Sequence, residues 1–556
     1  MSYLDVPRLH FAGGFTADPS TINNTIANYD PANLGQLNLS WNPYGSHAWT
    51  ISASVRSFVD AGGNVHRQGD PLLGAACENY APKVPAKLVD LDTDQQARTR
   101  LYGLNIQIVT AAGDTGDTGG TGATGGTGGT ASTVLLQGHF ADAATLLNLW
   151  LSRVPAYKGD TAAGGAFQSV LEQLDWQPGS SPLLQQLHDA SPDGLSIRIS
   201  CYGYIDAHVA PGFQEGKIVG TIGPWRPGEP CFNVFDRFLN PAGGSSLWYA
   251  PAKLDAGRAT VTFDLGNSVP EQTPGGIPVA LGPMQAAILM PGGAAPVVLG
   301  DVDYSQAALE STAGVAQVGG LTPQQVQQAA ANPLGILTAG TPALAESPGG
   351  LYVEVDGATL YMNPDDTATA TLYAATYGQR TPGYAAALSL VPQFDPSGLP
   401  INNYPPAAIS FPASVVTDAS GRAEIPLATR NPVPKTRRRE FVDGQLYFLG
   451  GPWSSGADQV PGAPLTVKIF NSVEPPVSNP TWTDVAPILY QYYFLYAYMA
   501  GIVDLSQYDS VKANASGIQK VLELPDSDPN YMPVTREMSR GQRQLILSWI
   551  QLGCPR

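Results

Sequence analysis

The sequence predicts a mainly β protein that ends in an all-α module. Three observations carry this prediction. Gly and Pro number 61 and 49 among 556 residues, a composition that favours turns and works against long helices. Apolar residues make up 43% of the chain, enough to build cores, while charged residues are only 13%, about half the usual quarter. Apolar runs stay short and bounded by turn residues until about residue 482, where helical spacing takes over. The length is too great for one core and implies about three domains. These are a β-rich domain over 1–265, a β-sandwich-like domain over 266–475 and a helical module of three helices over 476–556.

In the first region, WTISASV (49–55) and LYGLNIQIV (101–109) read as strands. Between them lies KLVDLDTDQQ (87–96), where Asp90, Asp92 and Asp94 alternate. Without the Gly and late Glu of a calcium loop, this is expected to be a polar strand end or a turn. Residues 113–130 form six Gly-x-Thr triplets. They lack the proline of a collagen repeat and the Gly-Lys-Ser/Thr of a phosphate loop, so they read as an insertion between two strands. Residues 141–154 have helical spacing at Leu146, Leu147, Trp150 and Val154, and short helical pieces are expected near 166–175 and 181–190. Strands return at 195–204, 217–223 and 259–265.

The second region holds one helix signal, LTPQQVQQAAA (321–331), with Thr322 as cap and Pro323 at the first helical position. Strands are expected at 351–357, 367–377 and 465–471, with a hairpin turn at Asp418–Gly421 and a further strand within FVDGQLYFLGG (441–451). The basic run 435–440 reads as a solvated loop. Three prolines in EPPVSNPTW (474–482) mark a boundary. Beyond it, Val485, Ile488, Leu489, Tyr492, Tyr496 and Met499 share a helical face. A second helix is expected from Ser506, and a third is capped by Ser539 with Gln542 three residues on, closing at Gly553.

Net charge is −17 and the pI about 4.7, which disfavours nucleic-acid binding. The four cysteines, Cys77, Cys201, Cys231 and Cys554, form no CxxC or zinc spacing and are expected to be buried free thiols. The N-terminus lacks the basic start and hydrophobic run of a signal peptide, so a cytoplasmic location is expected. Residues 485–503 contain no charge over 19 positions, long enough to span a bilayer. Five tyrosines within them favour a buried helix instead, and no membrane association is expected.

No G-x-S-x-G, HExxH, Walker or Rossmann fingerprint is present. The histidines (His10, His47, His66, His139, His188 and His208) are isolated in sequence. His10 and His139 lie inside apolar strand-like runs and are the candidate metal ligands. Trp225, Arg226 and Glu229, in the Gly/Pro-rich stretch KIVGTIGPWRPGEP, are the candidate binding residues, since such a loop holds side chains at low entropic cost. Pinning a strand crossing is the alternative role for them.

The C-terminal helices resemble a c-type cytochrome module that lacks CxxCH. Tyr, Phe and Ala stand in YQYYFLYAYMAG where thioether cysteines and the proximal His would be, so covalent haem attachment has no chemistry in this segment. Met532 is a haem ligand only if the module binds haem at all. No cofactor is expected, with haem and metal left open.

Three blocks, MSYLDVPRLHFAG (1–13), LSIRISCYGY with KIVGTIGPWRPGEP (195–230), and ILYQYYFLYAY…NYMPVTREMSRGQRQLILSWI, together resemble the non-ferritin N-terminal region of the iminophenyl-pyruvate dimer synthases of the violacein and rebeccamycin pathways. In that family oxidative coupling is attributed to a C-terminal ferritin-like domain. This sequence carries no such segment and no Glu-x-x-His pair, so no catalytic residue transfers. The resemblance implies a non-catalytic or accessory scaffold or binding protein related to enzymes that couple aryl or indole imines. Its expected partners are a small aromatic ligand or a separate ferritin-like subunit. One alternative is a stand-alone oxidoreductase or other enzyme with a haem, a metal or an aromatic-lined pocket. Another is a self-assembling structural protein, suggested by the Gly-x-Thr tract.

Overall fold

The computed structural model describes the chain apart from residues 1–2, 18–48, 81–85, 93–95, 111–131, 142–143, 147–150, 153–162, 206–213, 234–235, 358, 395–399, 402–404, 432–442, 454–463, 474–476, 496–498, 500, 527, 529 and 534–535. The Gly-x-Thr tract, the 435–440 run, His47 and His208 lie outside the described residues. The architecture is mainly β with a few C-terminal helices, as the composition predicts.

Eight antiparallel strands form the first unit: β1 (Arg8–Ala17), β2 (Trp49–Val59), β3 (Ala76–Glu78), β4 (Asn105–Val109), β5 (Val134–Phe140), β6 (Ala163–Trp176), β7 (Leu195–Tyr202) and β8 (Glu215–Pro224). Each pairs with the next, and β8 returns to pair with β1. The sheet is therefore a closed up-and-down barrel, which leaves no exposed edge in the ring. Eight strands enclose a space just wide enough for side chains. Leu9, Phe11, Phe15, Trp49, Ile51, Cys77, Ile106, Ile108, Phe167, Ile197, Ile199, Ile218 and Ile222 belong to one buried cluster there. Gly220, opposite Phe11 in register, shows how tightly it is filled. A Cβ at Gly220 would sit 2.2 Å from the Phe11 ring.

Helix α1 (Pro182–Ala190) adds Leu183, Leu184 and Leu187 to the barrel cluster. Its start is fixed by Ser181, whose Oγ accepts from Leu184 N at 3.0 Å and donates to Asp70 Oδ1 at 2.5 Å. Beside the barrel, Lys87–Asp92 and Gln96–Tyr102 pair as a hairpin that joins β6 through Ala144–Leu146. Two expectations are corrected here. The described parts of 141–154 are strands, and 166–175 is the interior of β6. Pairing along β6 on both sides outweighs local helical spacing. The stretch 101–109 is also broken, at Gly103 with φ +67°, into the end of one strand and β4. Around the Gly-x-Thr tract, β4 and β5 are neighbours in the ring, closed by Thr110 N to Thr133 O at 2.9 Å.

A second eight-stranded antiparallel sheet comprises β9 (Arg237–Pro241), β10 (Ala250–Asp255), β11 (Thr260–Asp264), β12 (Met284–Ile288), β13 (Val297–Asp301), β14 (Val315–Val318), β15 (Leu334–Thr338) and β16 (Thr341–Ala345). Its order is β13-β12-β15-β16-β9-β10-β11-β14. The two end strands lie close without pairing. A Cβ on Gly300 of β13 would be 2.7 Å from Val318 of β14. The expected boundary at 265/266 falls between β11 and β12, two strands of this one sheet. Helix α2 (Gln306–Thr312) leaves the sheet to lie on β1, β2 and β8 of the barrel. Helix α3 (Pro323–Ala331) carries a full capping box between Thr322 and Gln325.

Two further sheets enclose a common cluster that includes Val355, Leu372, Ile425, Tyr447 and Val467. The strands are β17 (Leu351–Asp356), β18 (Thr359–Met362), β19 (Thr367–Thr376), β20 (Ser389–Leu390), β21 (Ile409–Ser410), β22 (Arg422–Thr429), β23 (Gln445–Gly450) and β24 (Leu465–Ile469). One sheet runs β17-β19-β22-β21 and the other β18-β24-β23-β20, with β18 and β24 parallel.

The C-terminal helices are α4 (Trp482–Leu495), α5 (Tyr508–Ala513), α6 (Ala515–Leu522) and α7 (Arg540–Gln551). The helix expected from Ser506 is divided at Asn514 into α5 and α6. Ser539 caps α7 by accepting from Gln542 N at 3.2 Å. Gly553, at φ +82°, ends it, with Gly553 N bonded to Ile550 O and Cys554 N to Trp549 O at 2.9 and 3.0 Å. That pair of bonds is a Schellman motif. Met532 packs in the helical cluster beside Val485, Tyr492, Ile546 and Trp549. No helix among the described residues is long and apolar enough to cross a membrane.

Candidate functional site

Strand β1 alternates faces, and both faces are buried. Leu9 and Phe11 point into the barrel, while Arg8 and His10 point out of it, yet Arg8 is 2% exposed and His10 1%. The reason is tertiary: α2 and β14 of the second sheet cover this part of the outer wall. Between the two units lies a cleft of ≈ 540 Å³ whose lining includes Arg8, His10, Ser57, Arg67, Thr312 and Gln317.

His10 is in register with Thr221 on β8 and Ser57 on β2, the two strands that flank β1. A register shift in the β1–β2 pairing falls directly after it, between His10 and Phe11. Bulges of this kind re-aim neighbouring side chains. Arg8 Nε lies 3.4 Å from His10 Nε2 and can only donate, so Nε2 is the acceptor. The ring proton therefore sits on Nδ1 and is donated to Thr221 Oγ1 at 2.9 Å. Burial, reinforced by the positive charges of Arg8 and Arg67, holds the His10 pKa well below its ordinary value. The ring is neutral at physiological pH, with both nitrogens engaged.

Arg8 donates from Nη1 to Leu4 O at 2.7 Å and from Nη2 to Gln317 Oε1 at 2.8 Å. All three of its acceptors are uncharged. Among the described residues no carboxylate lies within ion-pair distance of it. Burial pulls its pKa down to about 10, so it remains a cation. A second groove of ≈ 610 Å³ shares Asp301, Val302 and Asp303 with this cleft and continues past Pro278, Pro283, Met284 and Tyr304.

His139 lies elsewhere, on β5, four strands from β1 around the ring. It meets Tyr80 edge-on with ring centroids 5.4 Å apart, and burial lowers its pKa. The structure therefore does not bring His10 and His139 together. Among the described residues no group of three or more His, Cys, Asp or Glu is placed to hold a metal.

Trp225, Arg226 and Glu229 follow β8 and do not line the cleft. Trp225 N donates to Ser191 Oγ at 3.0 Å. Arg226 Nη1 reaches Asp5 Oδ2 at 2.7 Å and Glu229 Oε1 at 3.5 Å. Asp5 also takes Lys253 Nζ from β10 at 2.6 Å. These contacts tie the N-terminal segment, the loop after β8 and the second sheet together. The resemblance assigned nothing to Arg8. Its signal was local: Arg8 and His10 are two polar residues at i and i+2 of an otherwise apolar strand. Gln317, across the cleft, carried no signal of its own.

No family model matches the chain, and no curated protein matches it. Among solved structures it shows similarity to the adhesin InvE of Yersinia pseudotuberculosis, at 14% identity over 38% of this chain and 54% of that one, with a TM-score of 0.15. A variant of Salmonella alpha-2-macroglobulin is similar at 10% identity over 74% of this chain and 26% of that one, with a TM-score of 0.14. The chain thus spans about half the length of the adhesin and a quarter of the macroglobulin. Overlaps this slight carry no functional argument.

Proposed function

We propose that this protein is a non-catalytic, small-molecule-binding scaffold, accessory to enzymes that couple aryl or indole imines. The cleft between the barrel and the second sheet carries the reading. Its polar floor is built for holding a ligand: His10 is neutral and bonded at both nitrogens, and Arg8 is a fixed cation. A histidine so engaged has no free nitrogen for proton transfer to a ligand. The link to imine coupling rests on the three sequence blocks alone, and under it a separate ferritin-like subunit would supply the chemistry.

In the same reading the β-sandwich-like domain expected over 266–475 is narrowed to the two sheets of 351–469, since the strands between 284 and 345 share a sheet with those of 237–264, and α4–α7 form a degenerate cytochrome-like module whose haem space is filled by side chains. Cys77, Cys201, Cys231 and Cys554 form no disulfide, which supports a reducing, cytoplasmic setting. Mass analysis of protein purified from its native source tests the function. Release of a stoichiometric small molecule on denaturation is expected. A ligand-free protein that also retains no partner would overturn the reading.

A further inference from the structure

We infer that the cleft takes a small organic monocarboxylate, whose head displaces the Gln317 amide from Arg8. The inference rests on the binding role proposed above and names the ligand class for that site.

A buried guanidinium is normally held by a carboxylate, since burial of an uncompensated charge is costly. Among the described residues the hydrogen-bond acceptors of Arg8 are the Leu4 carbonyl, the His10 ring and the Gln317 amide oxygen, and the Asp5 carboxylate acts on it only from beyond ion-pair distance. Two of these acceptors are fixed by β1 and the segment before it. The third is different: Gln317 is exposed, comes from another unit, and its Oε1 occupies Nη2 from the cleft side. A carboxylate in that place makes a charge-assisted bond, roughly twice as strong as the neutral one. Arg67 stands exposed on the same cleft and adds positive charge for the approach.

The rest of the groove sets the class of molecule. Asp301 and Asp303, both exposed, form the ridge shared by the two lobes. They repel a second negative charge, so a monoanion is favoured over a dianion. Beyond the ridge, Pro278, Pro283, Met284 and Tyr304 offer an apolar wall for the ligand's body.

Titration calorimetry of the full chain with hexanoate, succinate and hexylammonium tests this. Hexanoate is expected to bind saturably at one site, succinate at least tenfold more weakly, and hexylammonium not at all. The decisive variant is Gln317→Glu. It is a surface change that gives Arg8 a carboxylate from within the chain, and it should weaken hexanoate at least tenfold while raising Tm. Gln317→Ala, which frees Nη2, should bind hexanoate as well as or better than the native chain. Unchanged hexanoate affinity in Gln317→Glu, or equal binding of hexylammonium, would overturn the inference. Should hexanoate fail while native protein still releases a bound compound of other charge, the ligand class is wrong and the binding role stands. Should both fail, the binding role falls as well.

Discussion

Arg237 shows what a buried charge needs in this protein, and so why Arg8 stands out. Its guanidinium meets Glu346 with Nε to Oε1 at 2.9 Å and a second bond from Nη2 to Oε2. It also donates to the carbonyls of Ala329 and Asn332 at 2.6 and 2.7 Å. Replacing only one partner strands the other. Arg237→Met should cost about 3–5 kcal/mol, read as a lower urea midpoint with unchanged slope. His10 makes a pH prediction. Its folded pKa is depressed, so below the ordinary histidine value of about 6.5 the unfolded chain takes a proton that the folded chain refuses. Stability from this site is therefore full above that pH and declines as pH falls through it. His10→Gln should flatten that decline between pH 7 and 5 in paired urea titrations. A slope identical to the native one would show that His10 is not the titrating group.

At the scale of elements, the sequence read helix caps well where the chemistry is local, whereas the turn at Asp418–Gly421 joins Ser414–Val416 and Arg422–Thr429, which pair with other strands and not with each other. Thr322 and Gln325 form the box that begins α3, and Ser539 caps α7, as their spacing implies. Ser539→Ala should lower stability by about 1 kcal/mol, measured by thermal unfolding. Elements whose state depends on partners were read less well. Helical spacing over 141–154 and 166–175 gives way to strands at Ala144–Leu146, Leu151–Ser152 and along β6, because β6 is bonded on one side to β7 and on the other to β5 and Ala144–Leu146. Gly220 illustrates the reverse dependence. Nothing in KIVGTIG requires a glycine at that position, yet the Phe11 ring occupies the space a methyl would need. Gly220→Ala should cost about 1–3 kcal/mol through overpacking, with the loss relieved by pairing it with Phe11→Leu. Absence of coupling in that double-mutant cycle would contradict the contact.

For the whole molecule, the contacts between units are specific side-chain events. Tyr102, at the end of the strand beside the barrel, is 1% exposed and belongs to the hydrophobic cluster of the C-terminal helices. The Arg536 guanidinium lies 3.9 Å from its ring centroid and donates to the carbonyls of Asp526 and Asp528 at 3.0 and 2.7 Å. On another side of the module, Arg540 N donates to Asn363 Oδ1 at 2.6 Å, in the segment after β18. Small helical modules bury too little alone to be stable, so these contacts hold the module. Tyr102→Ala should loosen it, giving faster proteolysis near 474–482 and a separate low-temperature unfolding step by calorimetry. A single native-like transition would show that Tyr102 does not hold the dock.

The sequence by itself determined the β-rich class, the helical end, the principal strands and the helix caps. Each depends on a period or a spacing that a short stretch carries alone. Tertiary structure decided the rest. Strands such as β2, β4, β7 and β8 are legible one by one, whereas β6 carries helical spacing; ring closure depends on β8 meeting β1, some 200 residues apart, and no local pattern records that pairing. The candidate site divides in the same way. Arg8 and His10 share a face because strand residues alternate, which the sequence shows. Their burial does not follow from that alternation. It exists because α2 and β14 cover the outer wall of the barrel, and Gln317 faces Arg8 only once the two units have met.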